Sequence, residues 1–550
     1  MKKSEMTEKY IKDNGIHYTP TELSSYMAKI LVNQYKSKNN LNKSTIKVLD
    51  PACGDGELLI ALAIELSNNN INFEMYGIDT NNEELEIAKE RLNEYNIHLN
   101  TFNMDYIENY DKFIDFDLVI ANPPYVRTQN MENDKRKKNN TFSVNGRFDL
   151  YQLFFNAITN SLKYEGLLCI ITSNKFMYNK AGICSRNFLS ENYNIKFILD
   201  LGDSKMFTAS VLPAIFLGEK SLFVDNYSIF SAKIYETTKS INNNDSIFNL
   251  LLSNKDGIVN KDNHNYEINF GYINNNAGEP WAINTNNEMT YIDHINKKKF
   301  CNLSEWANVK VGIKTTADKV FIQKKIEDFN IKNCDLIHPM IFSKNTSKWC
   351  RKKEPERFIL YPYILNSETQ STIDINKYPE VKKYLMKNED ILKKRKYFET
   401  SKKDWFEIWV CHNLIDFYKP KIVVPDISSE SKFLYDDNGF LVDGNCYWIT
   451  IKENIPADYL FLILGLCNSK FMEEYHDLSF QNKLYSGKRR YVSQYLNKYP
   501  MIDPNSKQAL NIIKIVKKII NSNCEKIDIE HLEQEIEKNI KNYWEEINNE

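Results

Sequence analysis

Several signals are missing from this sequence, and each absence narrows the reading. No C-x-x-C occurs among the ten cysteines, and no Cys/His cluster has zinc-ligand spacing. The opening stretch "MKKSEMTEKYIKDNG" has no apolar core of the kind a signal peptide needs. Nowhere does an apolar run approach the roughly 18 residues of a membrane span. The formal net charge is −2, so the whole-chain balance names no partner. No internal repeat is seen. What is present is a 550-residue chain with 42% apolar and 13% aromatic residues, enough for two or more domains with ordinary cores. A cytoplasmic protein is expected. Its cysteines, among them Cys169, Cys301 and Cys467 in apolar runs, read as small buried hydrophobes in a reducing compartment.

The first half alternates strand and helix patterns. "IKVLDPACGDG" reads as a strand ending in a glycine-bearing turn, followed by the helix "ELLIALAIELSNN". "FEMYGIDTN", "DFDLVIANPPY", "EGLLCIITSNKFM", "IKFILDLGD" and "LPAIFLGE" read as further strands. This alternation predicts an α/β fold with a mostly parallel sheet and helices on both faces. Ligands in such sheets bind at the C-terminal ends of strands, near the reversal in strand order. Residues 252–290 are polar and Asn-rich and read as a linker or irregular crossing. Beyond them strands shorten and aromatics increase. Two helices close the chain over 507–550, with Leu532, Ile536, Ile540 and Tyr543 at helical spacing. The expected division is 1–285 and 286–550.

The turn "DPACGDGELL" lacks the Lys-Ser/Thr pair of a phosphate loop. It carries Asp50 and Asp55 instead, which suit a cation. Asp79, at the next strand end, suits a ribose diol, and Asp105 an exocyclic amine. These fit a cationic nucleoside without phosphate, of which S-adenosylmethionine (SAM) is one. Taken singly, each aspartate reads more plainly as a turn or cap residue.

"NPPY" ends an apolar strand with two prolines, which donate no backbone hydrogen bond but still accept through carbonyls. Asn122 adds a side-chain carbonyl. Two rigid acceptors suit one NH2 group, and Tyr125 offers a face for a planar ring. A strand-ending turn is the plainer meaning of an isolated Pro-Pro.

The order "HYTP", "DPACGDG", "GIDTN", "MDY", "NPPY", followed by a large C-terminal region, resembles the gamma-class, TaqI-type N6-adenine DNA methyltransferases. The resemblance covers about the first 220 residues in order and the rest more loosely. It implies a Rossmann-like SAM-dependent catalytic domain with a mixed, mostly parallel sheet. It also implies a C-terminal α+β DNA target-recognition domain ending in a helical hairpin. SAM contacts would come from Tyr18, Thr19, Asp50, Pro51, Ala52, Cys53, Gly54, Asp79, Asp105, Asn122 and Pro124. Asn122 and the Pro123 carbonyl would hold the target amine, with Tyr125 and Phe207 on either side of a flipped adenine. No metal is implied, and no His or Glu general base stands in the motif.

The stretch 481–501 holds five basic residues and no acid, interleaved with tyrosines. Lys488, Arg489, Arg490 and Tyr491 are therefore expected to contact double-stranded DNA. Thr315, Thr316 and Lys319 suit either DNA contact or a hairpin turn. The segment 126–147 suits either a DNA-enclosing loop or an insertion. The resemblance implies a monomer on DNA, off the membrane. It works either beside a separately encoded restriction endonuclease or as a solitary methylase. Other functions also stay open: SAM-dependent methylation of RNA or protein glutamine, or a catalytically silent DNA-binding specificity subunit.

Overall fold

A computed structural model describes residues 19–38, 45–125, 149–204, 212–221, 228–332, 334–350, 354–364, 371–395, 397–398, 401, 403–481, 487–522, 524 and 528–545. Contacts divide the chain into two units. One comprises Met1–Met289 with Leu478–Gly487, the other Thr290–Asp477 with Lys488–Glu550.

The first unit is built on a ten-stranded sheet. Helix α1 (Thr21–Lys36) precedes β1 (Ile46–Asp50), α2 (Glu57–Asn68), β2 (Phe73–Asp79), α3 (Asn82–Asn93), β3 (Leu99–Asn103) and β4 (Phe116–Ala121). Then come α4 (Leu150–Ser161), β5 (Leu162–Ser173), α5 (Ile183–Asn192), β6 (Tyr193–Asp200), β7 (Pro213–Lys220), β8 (Ser228–Thr237), β9 (Gly257–Lys261) and β10 (His264–Asn274). The strand order is β3-β2-β1-β4-β5-β7-β6-β8-β10-β9. From β3 through β5 all neighbours are parallel, and β7 runs antiparallel to both β5 and β6. The order turns back between β1 and β4, which pair through Val48–Leu118 and Leu49–Val119. This is the reversal beside which such sheets bind ligands. The central strands are near-continuous apolar runs because both faces are covered: Val48, Leu118, Ile120 and Leu167 belong to one core, and Leu49, Val119, Ala121 and Leu168 to the other.

The polar stretch 252–290 is not a linker. It contains the hairpin β9–β10, which pairs along β8 and ends the sheet. Of the two strands only β9 lies at the edge, and on β10, paired on both sides, Tyr266, Ile268 and Ile273 face the core. The late segment Leu478–Gly487 belongs to this unit through Gln481. That side-chain amide accepts the Ile283 N–H at 2.8 Å and donates to the Ile283 carbonyl and Asn284 Oδ1, both at 2.7 Å.

In the second unit, β11 (Ala307–Val311), β12 (Lys421–Pro425), β13 (Leu434–Asp436) and β14 (Cys446–Ile451) form an antiparallel sheet in the order β11-β14-β12-β13. A second small sheet uses Ile322–Gln323, Ile337–Ile341, Phe358–Leu360 and Leu441–Val442. Helix α6 (Tyr459–Cys467) packs on α7 (Lys507–Asn521), which forms a hairpin with α8 (Ile529–Glu545). Gly465 admits this approach: a methyl there would lie 2.5 Å from Ile512. In α8 the buried stripe is Leu532, Ile536, Ile540 and Trp544, so the last position is Trp544 rather than Tyr543.

The reading of all cysteines as isolated hydrophobes fails at one pair. Cys350 and Cys524 form a disulfide across 174 residues, with Cα atoms 6.1 Å apart. Cys169, Cys301 and Cys467 are free and buried, as expected. Among the described residues no helix is long and apolar enough to cross a membrane.

Candidate functional site

The parallel alignment of β3, β2, β1 and β4 brings their C-terminal ends into one row. Asp105, Asp79, Asp50 and Asn122 stand on or just beyond those ends. Each was singled out separately in the sequence, and the sheet places them side by side.

The turn after β1 is held by backbone bonds. Cys53 N–H donates to the Ile78 carbonyl, and Gly56 N–H to the Cys53 carbonyl, both at 2.9 Å. Gly56 has φ +82°, and a Cβ there would lie 3.0 Å from Ala88 of α3. Glycine therefore allows both the left-handed turn and the close helix. Gly54 also has positive φ, but nothing lies within 4 Å of where its side chain would be. Its backbone is thus open to approach by a ligand.

Asp50 is 1% exposed. Its Oδ1 accepts the Ala52 N–H at 3.0 Å, while Oδ2 is enclosed with no hydrogen-bond partner among the described residues. Burial pushes its carboxyl up to about 8; the Ala52 N–H opposes the shift and nearby Asp79 adds to it. A buried oxygen of this kind fits a cationic or N–H-bearing group brought by a ligand. Asp79 bridges the strand ends, its Oδ1 accepting Asn81 N–H and its Oδ2 accepting Gly54 N–H, both at 2.9 Å. Each oxygen takes one backbone donor and keeps lone-pair capacity for a diol.

Two other aspartates have internal duties. Asp55 takes Arg91 of α3, at 3.2 Å to its carboxylate and 2.8 Å to its carbonyl, and Arg91 also pairs with Glu57. The pairing of Asp50 with Asp55 as two acids for a cation is therefore corrected to Asp50 alone. Asp105 Oδ1 caps the short helix Tyr106–Asn109 through Ile107 N–H at 3.0 Å.

After β4, Asn122–Tyr125 run without regular structure. Asn122 Nδ2 donates to Thr19 Oγ1 at 3.0 Å, tying "NPPY" to "YTP" across 103 residues. Asn122 Oδ1 and the Tyr125 hydroxyl are both enclosed, and burial raises the Tyr125 phenol well above its ordinary range. Tyr18, Phe207 and the loop 126–147 lie outside the described residues.

A buried carboxyl at the end of β6 was missed by sequence reasoning. Asp200 accepts from Asn174 Nδ2 and Gly202 N–H at 3.0 Å, and from the Tyr178 and Tyr235 hydroxyls at 2.6 Å. It fixes the strand end that leads into "LGDSKMFTAS". The signal was there: like Asp50, it is an acid closing an apolar strand just before a glycine turn.

In the second unit the basic–aromatic run is used differently from expectation. Arg489 donates Nε and Nη2 to Asp477 at 2.7 and 2.9 Å, and Nη1 to the Ser429 carbonyl at 2.6 Å. Arg490 pairs with Asp426 at 3.1 Å. Tyr491 is 1% exposed and packs edge-on to Phe433, so it has no face for DNA. Tyr495 and Tyr499 are likewise core residues. Of the four residues expected at DNA, Lys488 is exposed, Arg489 and Arg490 are half-buried and Tyr491 is buried. Thr315 is buried, its hydroxyl donating to Asp318 and accepting from Ala317 N–H at 3.0 Å, so it shapes a turn.

Comparison with known proteins identifies the family and the fold. Residues 21–207 match the Eco57I restriction-modification methylase family, and residues 361–501 the TaqI-like C-terminal specificity domain. The chain is 40% identical to the Type II methyltransferase M.BanIII of Aneurinibacillus aneurinilyticus, over 94% of this chain and 95% of the relative. It is 25% identical to the Type II methyltransferase M.BstVI of Geobacillus stearothermophilus, over 86% and 87% of the two chains. In fold it is similar to the Type IIL restriction-modification enzyme MmeI, solved in complex with DNA, with TM-score 0.67. That alignment spans 98% of this chain and 78% of the other at 14% identity.

Proposed function

The chain belongs to the type II DNA methyltransferases of the Eco57I/TaqI-like, gamma-class N6-adenine family, and from that premise we propose how its own residues methylate adenine in duplex DNA. The observation that carries the reading is the adjacency of β1 and β4 at the sheet's reversal. It sets the Asp50–Gly54 turn beside Asn122–Tyr125.

S-adenosylmethionine, when bound, supplies a methyl group on a cationic sulfur. Pro51, Ala52, Cys53 and Gly54 give it a close backbone wall, Asp50 Oδ2 a buried negative partner, and Asp79 a diol acceptor. Thr19, Asp105 and Pro124, with Tyr18, complete the assigned contacts. Asn122 Oδ1 and the Pro123 carbonyl accept the two N–H bonds of the adenine amine. Accepting both favours a pyramidal nitrogen with a freer lone pair, and the proton that methylation makes acidic passes along one of these bonds to water. Tyr125 and Phe207 stack on the ring. Such fixed dipoles and positioning are worth several kcal/mol in other enzymes. The adenine must leave the helix for its amine to be reached, at a cost of a few kcal/mol. Nothing in this chemistry calls on a metal.

DNA is the substrate of this family, and the specificity-domain match supports DNA over RNA or protein glutamine. Intact Asn122 and Tyr125 support an enzyme over a silent subunit. We further assign action as a monomer on DNA in the cytoplasm, either beside a separately encoded endonuclease or as a solitary methylase. Lys488 is kept as a phosphate contact, while Arg489 and Arg490 pair with Asp477 and Asp426 and Tyr491 packs on Phe433. The test is methylation of mixed-sequence DNA with labelled SAM, followed by mapping of the modified base. N6-methyladenine at a fixed site is expected; label on RNA, on protein or on cytosine would refute the assignment.

A further inference from the structure

Methylation of a flipped adenine brings charges of opposite sign to one edge of the sheet. The methyl donor carries a cationic sulfur, and the flipped nucleotide carries a phosphate on either side. The edge is divided to match. On the side of β1, β2 and β3, the strand-end segments 51–57, 80–84 and 104–109 contain no lysine or arginine. Asp50, Asp79, Glu83, Glu84, Asp105 and Glu108 stand on or beside those ends. On the side of β5, the chain from Gly166 to Ser190 contains no acid and carries Lys175, Lys180 and Arg186. The β1–β4 reversal lies between the two sides. A phosphate is disfavoured on the first and favoured on the second.

The sheet also sets the distance along the edge. β5 is the parallel neighbour of β4, with Ala121 opposite Ile170. Beyond that pair β4 leads into Asn122–Tyr125, while β5 runs to Ser173 and on to Lys175. The two segments leave the sheet side by side. The one after β5 is pinned from within. Phe176, Met177 and Tyr178 are buried. Arg186 of α5, itself 1% exposed, donates to the Phe176 carbonyl at 2.7 Å and to those of Met177 and Asn179 at 3.2 Å. Its Nε reaches the Ala277 carbonyl at 2.9 Å. Gly182 lets the chain fold back, since a Cβ there would lie 2.3 Å from the Phe176 carbonyl oxygen. The lysines point the other way: Lys180 is exposed, and the Lys175 side chain is 42% exposed. Asp149 Oδ2 lies 4.0 Å from Lys175 Nζ, too far for a hydrogen bond. Asp200 and Asp203, beyond β6, are buried.

We propose that Lys175 and Lys180 form a phosphate-holding wall of the target-base site and grip the DNA backbone beside the flipped nucleotide. The proposal rests on the reading of Asn122–Tyr125 as the adenine site, and it names DNA contacts on the catalytic unit. A contact at the displaced nucleotide stabilises the flipped state as well as the complex, whereas a contact on remote phosphates stabilises the complex alone.

The experiment uses the full chain and a duplex bearing the site that the wild type methylates, once with adenine and once with the fluorescent analogue 2-aminopurine at the target position. The variants are Lys175→Gln, Lys180→Gln, the two combined, Lys175→Arg and Lys163→Gln. Lys163 is the internal control. It stands at the opposite end of β5, paired with Asp117, and its side chain is also 42% exposed. The double variant is expected to lower the salt slope of DNA binding by about 2 and to weaken the 2-aminopurine fluorescence rise at saturating enzyme. SAM affinity measured without DNA should stay unchanged. Lys175→Arg should keep the wild-type slope, and Lys163→Gln should match wild type throughout. An unchanged slope in the double variant, or an equal loss in Lys163→Gln, would overturn the proposal. So would a lowered slope with the fluorescence rise intact, because the lysines would then touch remote phosphates. If the double variant does not fold, each single variant decides, with a slope change of about 1. A wild type that gives neither a fluorescence rise nor N6-methyladenine would instead overturn the reading of the adenine site.

Discussion

The two units use charge at opposite ends of its range. In the first, a carboxyl buried at a strand end keeps one oxygen without a protein partner: Asp50 Oδ2 is enclosed and takes no hydrogen bond from the described residues. In the second, arginines that look in sequence like a DNA patch are paired with acids of the same unit, Arg489 with Asp477 and Arg490 with Asp426. The difference lies in what each pattern encodes. A strand-end acid before a glycine turn inherits its location from the sheet, because every parallel strand delivers its C-terminal end to the same edge. A basic–aromatic run has no such constraint. Its composition is equally compatible with a phosphate surface and with a packed corner stapled by ion pairs.

The sharpest way to break this contrast is at Asn122. Asn122→Ala is expected to reduce methyl transfer about 10²- to 10³-fold, as loss of one preorganised polar group does elsewhere, while DNA binding by gel shift persists. Loss of DNA binding instead would move Asn122 out of the chemistry. Next is the second unit's cross-link. Reduction of Cys350–Cys524 is expected to lower stability by about 2–4 kcal/mol, read as a drop in melting temperature with reductant. Cys350→Ser should abolish the response; a persistent response would point to other thiols. Third, Arg489→Ala is expected to cost about 1.5–3 kcal/mol of stability, because it strips Asp477 of two charge-assisted bonds. Stability unchanged, with DNA affinity lost, would restore Arg489 to the DNA surface.

Asp50 predicts a pH dependence. Its carboxyl is raised from 3.8 to about 8. The folded chain therefore holds a proton that the unfolded chain has released between those values, and this contribution to stability is lost as pH rises through that window. Binding a cation requires the ionised form. SAM affinity should thus increase with pH up to about 8 and then level off, with proton release on binding. Calorimetry in buffers of different ionisation enthalpy measures this, and Asp50→Asn should flatten the profile. The smallest effect is expected at Lys488, where Lys488→Ala should leave melting unchanged and reduce the salt slope of DNA binding by about 1. A steeper or unaltered slope would take Lys488 off the phosphate backbone.

Much of the first unit was legible. The strands ending at Asp50, Asp79 and Ala121 are apolar runs closed by turn chemistry, and both signals are local. The β9–β10 hairpin was not legible, because β9 is a short edge strand that needs little apolar alternation and the asparagines of both strands imitate a loop. Asp200 was passed over because its four donors come from Asn174, Tyr178, Gly202 and Tyr235, a set no local window contains. The disulfide is further out of reach, since 174 residues separate its ends. At Arg489 the residue type was legible and its partners were not, because Asp477 and Ser429 are brought to it only by the fold.

The return of Leu478–Gly487 to the first unit bears on how such enzymes exchange specificities. Gln481 closes both backbone groups of Ile283, so a fragment ending near Met289 would leave that position unsatisfied and lack one of its own pieces. A chimera that grafts another enzyme's recognition half at this boundary replaces Gln481 as well. The transferable cassette is therefore split: the graft must keep the native Gln481, or change Ile283 and Asn284 with it.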